Sequence, residues 1–222
     1  MVAYQVLGVF LWVGLVLLAA ELVARLSDSG KEISRKIVHI GVGNVILLAW
    51  WFRIPTWVGI GAAIAAGGLT LITYRYPILA SVSGIGRKSW GTFFYAISIG
   101  LLIAYFWPLG LQAHAVLGVL IMTWGDGLAA LIGQRWGDHP YQMNGLTKSW
   151  EGTLTMLVAS VVVSSAILGT TYGWSWPMLG VAAMVAFLAT ALETFSMFGI
   201  DNLTVPLGSA FASYGLIHLW LG

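Results

Sequence analysis

Asp126 sits between Gly125 and Gly127 inside an apolar run, in the stretch TWGDGLAALIGQRWGDHPYQMNGLTKSWEGTL, residues 123–154. A carboxylate well inside a membrane span costs about 2.5–3.5 kcal/mol on insertion scales, so it persists where it holds an ion, a proton or a partner. Ala129, Ala130 and Gly133 follow at i+3, i+4 and i+7. Such a small-residue face allows close helix approach, and it also leaves space for a ligand. The plainer alternative for Asp126 is a structural ion pair with Arg135 or Lys148.

Three further stretches bring polar chemistry. In LTKSWEGT, Lys148 and Glu151 have the spacing of an i,i+3 pair. A cation is unhelpful at a helix start unless an anion sits there too; with Ser149 and the free N–H groups of the first turn, Lys148 would then make a phosphate seat. In SGKEISRKIVHIGVG, residues 29–43, Ser29 and Glu32 have capping-box spacing, and Glu32 with Lys36 forms a favourable i,i+4 pair. Arg35 and His39 share the next face. His39 is either a functional group or a buried neutral imidazole bonded to a neighbouring helix. In LETFSMFGIDNLTVPLGSA, Glu193 ends one apolar run, while Asp201 and Asn202 either cap the next helix or serve the site. GIGRKS (residues 84–89) fails as a phosphate-binding loop, because Arg87 separates Gly86 from Lys88 and no strand precedes it.

Carboxylates gathered with Lys and Arg are what a magnesium-bound polyphosphate needs. Mg²⁺ takes one or two carboxylates and fills its shell with water and phosphate oxygens, and basic side chains stabilise charge on a transferring phosphoryl group.

The elements that must position these residues are membrane helices. The chain is 59% hydrophobic and 8% charged over 222 residues, with mean hydropathy +0.90; soluble domains carry roughly 25% charged residues. Without cysteine there is no disulfide framework, zinc-thiolate or iron–sulfur site. Eight apolar spans are expected, at 2–24, 37–52, 56–73, 90–107, 112–133, 152–171, 177–195 and 203–221, or seven if one short run is re-entrant. The expected fold is an all-α bundle forming one transmembrane domain over 1–222, with no soluble domain.

Nine of the ten Lys and Arg residues fall in the loops after spans one, three and five, and Arg53 alone falls on the other side. The positive-inside rule makes the rich side cytoplasmic. The acids follow the same division, so the chemistry belongs to one face. A second substrate dissolved in the lipid is the natural reason for this many spans.

RKIVHIG, WGDGLAALIGQRWG, TKSWEGT and DNLTVPL, in this order from about Ser34 to Leu207, resemble the polyprenol kinase family, which includes phytol, farnesol and dolichol kinases. DNLTVPL looks most like the phytol kinase branch. The resemblance implies transfer of the γ-phosphate of CTP to an isoprenoid alcohol, phytol first and geranylgeraniol, farnesol or a polyprenol next. It assigns the nucleotide to Asp126, Lys148, Ser149, Glu151 and Gly152, and it matches Arg35, Lys36 and His39 to the family's basic motif.

The resulting expectations are specific. Asp126 and Glu151 hold Mg²⁺ or Mn²⁺. Arg35, Lys36, Gly125, Gly127, Gly133, Arg135, Lys148, Ser149, Gly152, Thr153 and Asn202 form the nucleotide and phosphate set. His39, Glu193 or Asp201 takes the alcohol's proton. The lipid tail enters sideways between spans lined by Leu, Val and Phe. The partners are CTP, the alcohol and membrane lipids, with no nucleic acid, in a bacterial inner membrane or a thylakoid-type membrane. A phosphatidate cytidylyltransferase-like CTP transferase and an ion-coupled transporter are the alternatives.

Overall fold

The computed structural model describes residues 2–26, 30–76 and 90–221. The expected Ser29–Glu32 capping box, the Glu32–Lys36 pair, and the GIGRKS segment with Arg87 and Lys88 rest on groups outside the described residues. The described residues form eight helical rods, one at each expected span. Six are long and apolar enough to cross a membrane: Val2–Arg25, Ile33–Trp51, Thr56–Arg75, Gln112–Trp136, Trp150–Tyr172 and Trp176–Thr194. The rod α5 (Gly91–Phe106) is shorter, at 16 residues. The last rod, α10, runs over Asp201–Leu221.

Two rods are interrupted. The second rod is α2 (Gly30–Gly43) followed by α3 (Val45–Trp51). Asn44 breaks it by turning its side-chain amide back on the Ile40 carbonyl at 2.8 Å, the local competition that disfavours Asn inside helices. The fifth rod is α6 (Gln112–Leu120), a π-helical segment Ile121–Asp126, and α7 (Gly127–Trp136). This rod is the hub, with 67% of its apolar stretch buried. Leu117, Ile121 and Met122 at its centre pack among Leu102 and Phe106 of α5, Met156 and Leu168 of α8 (Trp150–Tyr172), and Val181 and Val185 of α9 (Trp176–Thr194). The first rod, α1 (Val2–Leu26), turns Leu7, Phe10, Leu11 and Leu18 outward, as a lipid-facing helix must.

One element departs from the all-helical expectation. The polar stretch after α7 forms a two-stranded hairpin, β1 (Pro140–Met143) paired antiparallel with β2 (Leu146–Ser149). Its turn is Asn144-Gly145 with φ of 51° and 75°, the residue pair that two-residue hairpin turns favour because both positions need positive φ. The Asn144 amide donates to the Phe195 carbonyl at 2.8 Å, and the Trp90 N–H donates to the Phe198 carbonyl at 3.3 Å. The hairpin, the α9–α10 turn and the start of α5 therefore meet at one end of the bundle. At the other end Gln5 donates to the Phe52 carbonyl at 2.7 Å and Trp107 to the Ile54 carbonyl at 3.1 Å.

Candidate active site

Lys36 and His39 lie one turn apart on α2, on the face that meets the π-helical segment. The Lys36 ammonium donates to Asp126 Oδ2 at 2.9 Å. The side chains are only 8% and 19% exposed, so each largely supplies the other's missing hydration. His39 Nε2 lies 3.2 Å from the Met122 carbonyl and 3.5 Å from the same Asp126 oxygen. Its ring stacks on Tyr95, with centroids 4.9 Å apart. Thr123 Oγ1 donates to the Val119 carbonyl at 2.7 Å, so the Tyr95 hydroxyl is the donor in its 2.5 Å contact with Thr123. A Cβ at Gly43 would collide with both hydroxyls, which explains the glycine there. The wide turn at Asp126 fits the tendency of π segments to occur at functional sites.

A second ion pair stands nearby. Lys148, on β2, donates to Glu193 Oε1 at 2.8 Å and to the Glu193 carbonyl at 2.5 Å. That places a cation at the C-terminal end of α9, where the helix dipole favours it. Asp201 opens α10, its N–H donating to Ser196 Oγ at 2.7 Å. Asp126, Glu193 and Asp201 stand within electrostatic reach of one another, as do Lys36 and Lys148 of Asp201, and Arg35 of Asp126. Four segments distant in sequence thus bring three carboxylates and three strong bases into one neighbourhood. Asn202, beside Asp201, turns its amide toward the Gly199 carbonyl at 3.4 Å.

Several expected site residues have other partners. Glu151 does not pair with Lys148. Its Oε1 lies 2.5 Å from His139 Nδ1, and its Oε2 accepts from the His139 N–H at 3.4 Å. That hydrogen bond and the Glu151 charge raise the pKa of the exposed His139 above its usual value. Asp126 pairs with Lys36, not with Arg135, whose guanidinium lies over the Trp136 ring at 5.3 Å. Ser149 caps α8 by accepting from the Gly152 N–H at 3.1 Å, so its oxygen already serves a first-turn donor that a phosphate would use. Thr153 Oγ1 lies 2.6 Å from the Tyr141 hydroxyl, tying the hairpin to α8.

The small-residue face is filled by neighbouring helices. A Cβ at Gly125 would strike Met156, one at Gly127 would strike Ile40 at 2.8 Å, and one at Gly133 would meet Ser149 Oγ at 2.9 Å. A Cβ at Gly152 would meet the Ala129 carbonyl at 3.0 Å. These glycines let α2 and α8 approach the hub, and the room they leave is occupied by protein.

Sequence reasoning missed Tyr95, Thr123, Ser196 and His139. Tyr95 carries no local signal inside its apolar run. His139 does, because it stands at the mouth of an Asn-Gly hairpin whose strand pairing fixes it across from the start of α8.

No three His, Asp or Glu side chains converge into a closed metal cage among the described residues. An open magnesium site needs only one or two carboxylates when phosphate completes the shell. Asp126, Glu193 and Asp201, within electrostatic reach of one another, fit that demand; Glu151, the other carboxylate expected to hold the metal, pairs with His139.

Comparison with known proteins is consistent along the chain. It is 55% identical over 211 residues to the phytol kinase of Synechocystis sp., covering 95% of this chain and 91% of that protein. It is 28% identical over 208 residues to phytol kinase 1, chloroplastic, of Arabidopsis thaliana, covering 83% of this chain and 66% of that one. It is also 28% identical over 207 residues to the probable phytol kinase 1, chloroplastic, of Oryza sativa, with 83% and 64% covered. No family model and no solved structure matches.

Proposed function

The chain belongs to the phytol kinase branch of the polyprenol kinase family, and we propose that it transfers the γ-phosphate of CTP to the hydroxyl of phytol at the cytoplasmic face of its membrane. It is a multi-pass membrane protein and a lipid alcohol kinase. Geranylgeraniol, farnesol and longer polyprenols are the other acceptors of the same chemistry. The observation that carries this reading is the 2.9 Å contact between Lys36 and Asp126, set beside the Lys148–Glu193 pair and Asp201.

In the reaction the alcohol oxygen bonds to the γ-phosphorus, the bond from that phosphorus to the β–γ bridging oxygen breaks, and CDP leaves. The alcohol's proton passes to a carboxylate of the cluster or to His39. Phosphoryl transfer depends mainly on positioning and charge. Lys36, Lys148 and Arg35 provide that charge, and the ammonium of each lysine can exchange its carboxylate oxygen for a phosphate oxygen without losing a counter-charge. A magnesium or manganese ion arriving with the triphosphate would be held by Asp126 with Glu193 or Asp201, and would neutralise the phosphate oxygens. His39, held by Tyr95 and Met122, positions the Asp126 carboxylate.

Concentration of the carboxylates at one end favours a reaction at the lipid–water boundary over ion transport, which places its groups near the midplane. The test uses purified protein in detergent with phytol and CTP labelled in either the γ- or the α-phosphate. Label from γ-labelled CTP should enter the lipid. Lipid carrying the α-label instead would identify a cytidylyltransferase, and preference for ATP would overturn the assignment of CTP.

A further inference from the structure

We propose that Tyr95 is a positioning residue of the kinase site: its ring and its hydroxyl hold the two side chains that clamp the π-helical turn, and that turn aims the Asp126 carboxylate. This rests on the proposed kinase function and adds what keeps the carboxylate in place.

The turn needs holding. π-helical segments are rare and short, and this one, Ile121–Asp126, interrupts a rod that is α-helical on both sides. It takes up one residue more than an α turn. Relaxation to plain α-helix would shift the later side chains by one residue's step, about 100° around the axis at 3.6 residues per turn. Asp126 is the last residue of the segment, so such a step would carry its carboxylate away from Lys36.

Two side chains donate to carbonyls at this turn. His39 Nε2 lies 3.2 Å from the Met122 carbonyl; a carbonyl only accepts, so Nε2 carries the proton. Thr123 Oγ1 donates to the Val119 carbonyl at 2.7 Å. Back-bonding of this kind by threonine bends a helix.

Tyr95 touches both donors. Its ring stacks on the His39 imidazole, with centroids 4.9 Å apart and planes at 25°. Its hydroxyl donates to Thr123 Oγ1 at 2.5 Å, whose own proton is committed to Val119. Both Tyr95 and Thr123 are buried. Gly43, the last residue of α2, leaves the room in which the two hydroxyls meet, since a Cβ there would strike both. Three rods thus converge on this point: α2 through His39 and Gly43, α5 through Tyr95, and the hub through Thr123. Helix α5 carries no charged residue of its own, and Tyr95 spends its hydroxyl on Thr123, so it acts on Asp126 through its neighbours.

Tyr95→Phe keeps the stacked ring and removes only the hydroxyl. Per folded protein in detergent, it should lower kcat for phytol phosphorylation about tenfold. KM for CTP and for phytol should stay near wild type, because Lys148 and Arg35 are untouched. Thr123→Val should lower kcat by the same factor, and Thr123→Ser should restore most of it. The double variant Tyr95→Phe/Thr123→Val should be no worse than the poorer single variant, since both act through one bond. Tyr105→Phe, which strips a hydroxyl from a half-exposed tyrosine on the same helix, is the control and should match wild type. A second readout needs no turnover: hydrogen-exchange protection of the 121–127 amides should fall in Tyr95→Phe, and that of the α9 amides should not. Wild-type kcat in Tyr95→Phe, a loss confined to KM, a double variant that multiplies the two losses, or a kcat loss with unaltered protection of the turn would each overturn the inference. Should Tyr95→Phe fail to fold, Gly43→Ala takes its place. Both hydroxyls remain, the new Cβ drives them apart, and the same loss of kcat and of protection is expected; unaltered values would overturn the inference. A wild-type protein that phosphorylates no isoprenoid alcohol would defeat the kinase reading, and exchange at the turn would then decide by itself whether Tyr95 holds it.

Discussion

Lys36 and Asp126 are 90 residues apart in the chain, and their side chains meet at 2.9 Å. Each charge supplies most of the hydration that the other has lost. The pair both stabilises the packing of α2 on the hub and holds a carboxylate beside Glu193 and Asp201.

Separating those two roles requires a mutant cycle. Lys36→Met leaves Asp126 charged and unpaired, and should destabilise the protein by about 3 kcal/mol. Asp126→Asn should insert and fold but lose at least about 100-fold in kcat. The double variant should recover most of the stability and none of the activity. Unfolding in mixed detergent micelles alongside a phytol phosphorylation assay reads both quantities. An active Asp126→Asn enzyme would remove Asp126 from the chemistry.

The second ion pair should act on the nucleotide rather than on the fold alone. Lys148→Met should raise KM for CTP by roughly tenfold, with a smaller change in KM for phytol. Lys148→Arg should rescue only part, because a planar guanidinium cannot reproduce one ammonium that serves both Glu193 Oε1 and the Glu193 carbonyl. Equal effects on both KM values would make the pair purely structural.

The hairpin should loosen as pH rises. The pKa of His139 is raised in the folded protein by its hydrogen bond to Glu151. The contribution of the charged imidazole is fully present below the unfolded value of about 6.5, and it is lost as pH rises through the higher folded value. The protection of the Tyr141–Ser149 backbone amides, taken relative to the intrinsic exchange rate at each pH, should fall across that window. His139→Gln should remove the pH dependence while leaving the thermal midpoint nearly unchanged, since the imidazole is solvent-exposed.

Glycines on the hub should differ sharply from those facing lipid. A Cβ at Gly118 would strike the Pro206 carbonyl of α10, whereas one at Gly14 has nothing within 4 Å. Gly118→Ala should cost about 2 kcal/mol or more through overpacking against backbone, and Gly14→Ala should stay within about 0.5 kcal/mol. Thermal melts in detergent compare the two directly.

Much of the architecture was legible because the bilayer imposes it locally. A run of apolar residues must satisfy its own backbone hydrogen bonds, so each run becomes a helix whatever its neighbours do. That is why eight rods stand where the sequence has eight apolar runs, and the Asn144-Gly145 pair is itself a local signal for the hairpin turn. The acids and bases were equally visible as types, since a charge in an apolar run is costly wherever it occurs.

Partnership was a different matter. Lys36 could pair with Glu32 by helical spacing, and Lys148 with Glu151, because local rules see only three or four residues. Packing of α2 on the π-helical turn gave Lys36 to Asp126 instead, and the hairpin gave Lys148 to Glu193 and Glu151 to His139. The small residues around Asp126 likewise left their use undetermined until α2 and α8 were seen to fill them. Composition and short-range spacing establish which segments span and where charge resides. Contacts between segments tens of residues apart depend on how the rods pack, and only the folded bundle settles them.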